Sequence, residues 1–218
     1  MANQPQQPDT ALHNASHLMQ YHDLIESIVA AMDARDAYTA KHSDRVADMV
    51  LVLATALDLS EDETTLLHMA AHLHDIGKIA VPDSVRRKAG PLTRPEWEEM
   101  RRHPVTGYEI LRKIDDFKEI AILVRHHHER WDGRGYPDGL SGHDIPPGSR
   151  VIAVADSIDA MMSSRSYRPA MTSAACRREI EKNSGIMYDP RVAAAALEHW
   201  DELVSRYAGA DTPRTPYF

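Results

Sequence analysis

The residues able to do chemistry in this sequence are its histidines and aspartates. His74-Asp75 stands near the end of an apolar run from Leu66 to Ile79, followed by Gly77 and Lys78. On a helix, adjacent residues point roughly 100° apart, so an imidazole and a carboxylate can both reach one metal, and the second carboxylate oxygen is free for another. Gly77 suits a helix end or a tight approach of backbone, and Lys78 brings a cation to the same rim. Alone, the pair says little, because 13 histidines make chance adjacency common. The rest of the set carries more weight. His42, His103, His127, His128 and Asp156 lie on or beside apolar helix faces, where such groups are costly unless paired or metal-bound. Each taken singly reads as a hydrogen-bonded side chain; together they read as a metal centre. Five imidazoles, a terminal carboxylate and a bridging carboxylate leave open positions on two six-coordinate ions. Two ions roughly 3.5–4 Å apart activate a bridging hydroxide and clamp the attacked phosphorus. Ligation without thiolate suits iron, manganese, nickel or zinc better than magnesium.

The elements that must position these residues are helical. Leu24, Ile25, Ile28, Val29 and Met32 recur at three and four, as do Val46, Met49, Val50 and Leu53, giving a helical pattern from His17 to about Leu57. Ser60 with Glu63 is a capping box opening the helix that carries His74 and Asp75, and Thr93 with Glu96 is a second. His103 precedes Pro104 and sits at a helix break. Ile120, Leu123, Val124 and His127 share one helix face. The stretch Trp131 to Gly139, dense in Gly and Pro, is a long loop of functional type. Arg150 to Met162 is helical with Asp156 and Asp159 on one face, and a last helix covers Pro190 to Tyr207. Strand alternation, internal repeats and a long linker are absent. The fold class is all-α, a single helical domain over 16–208, with a disordered lead at 1–15 and a frayed tail at 209–218.

Composition narrows the function. At 218 residues and 43% hydrophobic the chain can bury a core. The single Cys176 excludes an intramolecular disulfide and cysteine-rich zinc sites, and fits a cytoplasmic location. No apolar run is long enough to span a bilayer. A net charge of −8 argues against binding nucleic-acid polymers, yet not against a phosphate ligand beside divalent ions.

The chain resembles the HD-GYP family, a branch of the HD-domain metal-dependent phosphohydrolases. The resemblance rests on His42-Ser43, His74 to Lys78, His103-Pro104, His127-His128-Glu129 leading into Gly135-Tyr136-Pro137, Asp156 with Asp159-Ala160, and Arg165 with Arg168. It covers about residues 20 to 200 and implies an HD-superfamily helical bundle with a long GYP loop. It further implies a cytoplasmic phosphodiesterase that hydrolyses cyclic di-GMP to pGpG or GMP. The implied metal ligands are His42, His74, Asp75, His103, His127, His128 and Asp156, Asp75 bridging two ions, most readily iron or manganese, with zinc or nickel as alternatives. Lys78 and Asp75 form the implied catalytic pair, Lys78 beside the scissile phosphate. Tyr136, Gly135 and Pro137 of the loop, with Arg165 and Arg168, would contact the substrate; Asp36 and Asp159 would contact it or support the ligands. Tyr38 replaces a Glu that ligates a third metal in some relatives, which favours a two-metal centre. Ser166 and Arg134 also depart from the family pattern; Arg134 reads as solvated. Glu129 is expected to orient a ligand histidine, His126 is the spare of its triplet with no ligand role, and His22, His68 and His72 read as surface or structural. Arg86-Arg87-Lys88 reads as a solvated loop face. Alternative readings are a catalytically silent sensor or interaction module, with a diguanylate-cyclase domain or a second copy as partner, and a phosphohydrolase of another nucleotide.

Overall fold

The computed structural model describes residues 20–33, 41–164 and 169–207. Among these residues the regular structure is helical, with one isolated bridge between Ser184 and Tyr188. The helices are α1 (His22–Asp33), α2 (His42–Ala56), α3 (Glu61–Leu73), α4 (Asp83–Arg86), α5 (Arg94–Met100) and α6 (His103–Leu111). They continue as α7 (Lys118–His126), α8 (Pro147–Met162), α9 (Ser173–Lys182), α10 (Pro190–Glu198) and α11 (Trp200–Val204). None of the helices among the described residues is long and apolar enough to cross a membrane.

The apolar periodicity decides what is buried. Val46, Val50 and Leu53 of α2, Leu67 and Leu73 of α3, Ile120 and Val124 of α7, and Ile152 and Ile158 of α8 meet in one core. Both capping boxes form. Ser60 Oγ accepts from the Glu63 N–H while Glu63 accepts from the Ser60 N–H at 2.9 Å, and Thr93 and Glu96 repeat the exchange. Lys88 Nζ adds a contact to Glu96 at 2.6 Å, and Arg86 pairs with Asp83 at 2.8 Å. Those two cations therefore pair with acids of α4 and α5, and Arg86, its side chain largely buried, departs from the solvated face expected of the Arg86-Arg87-Lys88 run.

Two boundaries differ from the sequence expectation. The helix entering the His-Asp pair ends at Leu73; His74 caps it, Asp75 occupies a turn, and Ile76–Ala80 winds as a 3-10 helix. The cause is Gly77, where a Cβ would stand 1.9 Å from the carbonyl oxygen of His103, so the chain there is pressed onto α6. The last helix breaks at His199, which turns Trp200 into the core and lets its indole N–H reach Ser173 Oγ at 2.8 Å. The lead, the tail, Asp36, Tyr38 and the segment 165–168 lie outside the described residues.

Candidate metal centre

Five elements converge on one buried site. The first residue of α2 supplies His42, the C-terminal end of α3 supplies His74 and Asp75, the start of α6 supplies His103, the end of α7 supplies His127 and His128, and α8 supplies Asp156. Pro104 at the start of α6 places His103 at a helix N-terminus, as its position before proline implied.

The histidines are set for coordination. Nδ1 of His74, His103 and His127 donates to the carbonyls of Ala71, Met100 and Val124 at 2.7, 2.8 and 2.6 Å. A ring with Nδ1–H committed to a carbonyl keeps its Nε2 lone pair for a metal. His42 is held likewise, its Nδ1 lying 2.6 Å from Asp159 Oδ2. The freed nitrogens crowd together: Nε2 of His42 and His74 are 3.2 Å apart, and Nε2 of His103 and His127 are 3.3 Å apart. Lone pairs opposed at such distances repel unless a cation stands between them.

The two oxygens of Asp75 divide the site. Oδ2 lies 3.6 Å from His42 and 3.4 Å from His74; Oδ1 lies 3.4 Å from His103. Asp156 Oδ1 approaches His42 Nε2 at 3.4 Å. One half of the site is thus His42 and His74, with Asp156 beside His42; the other is His103, His127 and His128, whose ligand nitrogens lie within 4.8 Å of one another. Asp75 faces both halves. Its Oδ1 is buried without a hydrogen-bond partner, an arrangement that costs stability in a protein but suits a carboxylate awaiting a cation. These donors fit a metal centre. Burial opposes the charged form of Asp75, yet Lys78, His74 and His103 outweigh it and hold the carboxyl well below its usual range. Burial likewise works against a charged His74, but Asp75 lifts it to about 9, so an ion bound at its Nε2 would displace a proton there, whereas His103 is held by burial at about 4. Lys78 Nζ sits 2.5 Å from Asp75 Oδ2 at a partly open rim.

The loop after α7 is clamped over this site. Arg125 grips Asp138 through two hydrogen bonds at 2.7 and 2.8 Å, His126 adds one at 2.9 Å, and the Tyr136 N–H donates to the His128 carbonyl. His126 is therefore a loop tie and no ligand, as its place in the triplet suggested. Glu129 departs from expectation: its Oε1 accepts from the N–H groups of Asp138 and Gly139, so it shapes the loop and orients no histidine. Gly135 is required because a Cβ would meet the backbone of Glu129 and Arg130 at 2.4–2.5 Å. Pro137 follows Tyr136 through a cis peptide bond. The Tyr136 ring comes within 4.8 Å of the His128 ring, bringing a phenol to the mouth of the centre. Arg134 is exposed.

Asp159 is 1% exposed and lies behind His42, which makes it a support for a ligand and removes it from the substrate side. Three groups that sequence reasoning missed surround this region. Arg45 pairs with Asp159 at 2.5 and 3.1 Å, and the Tyr207 hydroxyl donates to the same carboxylate. Arg101 stands 4.5 Å from the centre of the Tyr136 ring. Their only sequence signal was a charge or phenol in or beside an otherwise ordinary helical segment.

The family model of the HD domain matches residues 23–192. The chain is 42% identical over 177 residues to the cyclic di-GMP phosphodiesterase response regulator RpfG of Xanthomonas campestris, covering 80% of this chain and 47% of that protein. It is 39% identical over 188 residues to 3'3'-cGAMP-specific phosphodiesterase 2 of Vibrio cholerae, covering 84% of this chain and 35% of the relative. The chain thus spans less than half the length of either curated relative. Among solved structures, the HDG"Y"P protein Bd1817 of Bdellovibrio bacteriovorus superposes with a TM-score of 0.62 at 18% identity, covering 88% of this chain and 69% of that one. The cyclic GMP-AMP specific phosphodiesterase V-cGAP3 of V. cholerae gives 0.64 at 19%, covering 86% and 51%. At these identities the superpositions establish the helical fold.

Proposed function

We propose that this chain, which belongs to the HD domain family, is a metal-dependent phosphodiesterase of cyclic dinucleotides, with cyclic di-GMP as its substrate. The observation that carries this reading is Asp75, whose two oxygens face two separate groups of imidazoles. Such a carboxylate is placed to bridge two ions, held by His42, His74 and Asp156 on one side and by His103, His127 and His128 on the other. The imidazole-rich, thiolate-free donor set favours iron or manganese, with zinc or nickel next. When bound, the ions supply Lewis acidity toward the phosphodiester and its attacking water.

The protein's own groups do the rest. Lys78 presents a cation beside Asp75 at the rim, where it stabilises charge on the phosphoryl group or protonates the leaving oxygen. Tyr136 offers a ring on which a guanine can lie, and Arg101 adds a cation at that ring. By the family resemblance Arg165 and Arg168 hold phosphates and Asp36 supports the site. Asp159, with Arg45 behind it, fixes His42.

The names of the relatives favour two substrates, cyclic di-GMP and 3'3'-cGAMP. Anaerobic purification, metal analysis and turnover of both nucleotides on one sample test the proposal. About two equivalents of iron or manganese with release of pGpG or GMP bear it out. Faster cleavage of 3'3'-cGAMP moves the substrate assignment to that nucleotide. Bound but uncleaved nucleotide overturns the enzyme reading in favour of a sensor.

A further inference from the structure

A second group of histidines stands on the joint between α1 and α3, outside the centre described above. His68 and His72 are one helical turn apart on α3, their ring centres 4.7 Å from each other. His22 reaches across from α1, its ring 5.9 Å from His68 and 6.0 Å from His72. One nitrogen from each ring lies within 4.8 Å of the others, the same closeness that unites His103, His127 and His128.

Two further observations distinguish this trio from packed aromatic side chains. His72 is 6% exposed and its Nδ1 is buried with no hydrogen-bond partner, a state a native protein rarely leaves unanswered. Carboxylates rim the trio, Glu26 Oε1 at 3.7 Å from His22 Nδ1 and Asp44 Oδ1 at 3.7 Å from His72 Nδ1. At these distances they make no hydrogen bond to the rings, and their charge favours a cation there. His22 and His68 remain partly exposed, so an ion has a way in.

We propose that His22, His68 and His72 form a separate metal site that takes one divalent ion of the zinc, nickel or copper type. Three imidazoles without thiolate suit these metals, and water completes the coordination. The ion ties α1 to α3, the helix that leads into His74 and Asp75. It therefore clips the first described helix to a wall of the candidate centre.

Calorimetric titration of Zn2+ into the chelator-stripped full chain tests this site. Wild type should bind one equivalent more than His22→Gln and one more than His68→Gln, while Asp75→Asn, altered only in the other centre, keeps that equivalent. Zn2+ should also raise the melting temperature of Asp75→Asn by more than that of the Asp75→Asn/His68→Gln double variant. If His68→Gln fails to fold by far-ultraviolet circular dichroism, His22→Gln, changed at a partly exposed residue, decides alone. Equal Zn2+ stoichiometry and affinity in wild type and His22→Gln would overturn the site, as would loss in only one of two folded single variants.

Discussion

At the scale of single residues, what matters is how His42 is held. Its two nitrogens do different work: Nε2 faces His74, Asp75 and Asp156, and Nδ1 is fixed by Asp159. Burial alone would raise the Asp159 carboxyl, but the His42 and Arg45 contacts prevail and keep it far below its usual range, hence anionic. Asp159→Asn keeps the shape and removes the charge, so metal affinity should fall about 10–100-fold. Activity measured against added Mn2+ should then recover at high metal, whereas a group acting on substrate would leave the metal requirement unmoved. Tyr136 gives the opposite pattern. Tyr136→Ala should raise KM about tenfold, the low end of one lost base–ring stack, with metal content unchanged. The residues that converge on the candidate centre were legible in the sequence because histidine and aspartate beside apolar positions are conspicuous. Arg45, Arg101 and Tyr207 were not, since a cation or phenol on a helix ordinarily faces water and only packing brings these against Asp159 and Tyr136.

At the scale of elements, the turn at 74–78 shows where local signals stop. Gly77 suits a helix end or a tight backbone approach, but the apolar run to Ile79 put His74 and Asp75 on the helix, and the point where it stops was not legible locally. The helix ends because Gly77 lies against the His103 carbonyl, a contact between segments 26 positions apart. The end at Leu73 frees Asp75 to turn between the two sets of imidazoles. Gly77→Ala should therefore cost at least about 1–3 kcal/mol, since the methyl meets backbone that cannot rotate away. Urea denaturation monitored by circular dichroism measures it, and weaker metal retention should accompany it because His103 is displaced. Gly90→Ala is the control: a Cβ there meets nothing within 4 Å, and its midpoint should stay near that of wild type. The helical class and both capping boxes, by contrast, were readable from period and end residues alone, because those signals act within a few positions.

At the scale of the whole molecule, the centre is where α2, α3, α6, α7 and α8 meet, and it is the most polar part of an otherwise apolar interior. Val50, Leu53 and Ile152 are fully buried in the core; His74 and His127 are buried just as deeply, and Asp75 nearly so. Opposed imidazole nitrogens and an unpartnered carboxylate oxygen work against folding there, so the metal-free protein gives up part of what its apolar core contributes. Ions bound by the folded chain reverse that penalty by mass action. At a free metal concentration a hundredfold above Kd the gain is about 2.7 kcal/mol. For a domain of this size each kcal/mol moves Tm by about 2–4 °C. Stripping the protein with a chelator should therefore lower Tm by about 5–10 °C, and Mn2+ should restore it. The same experiment on Asp75→Asn separates the centre from any other ion the chain holds. Loss of the anion proposed to bridge the ions should shrink the Mn2+-dependent shift to a small remainder, because the two halves of the site would no longer share a charge. An undiminished shift in that variant would mean that the ions stabilising the fold sit elsewhere and that Asp75 does not join the two halves.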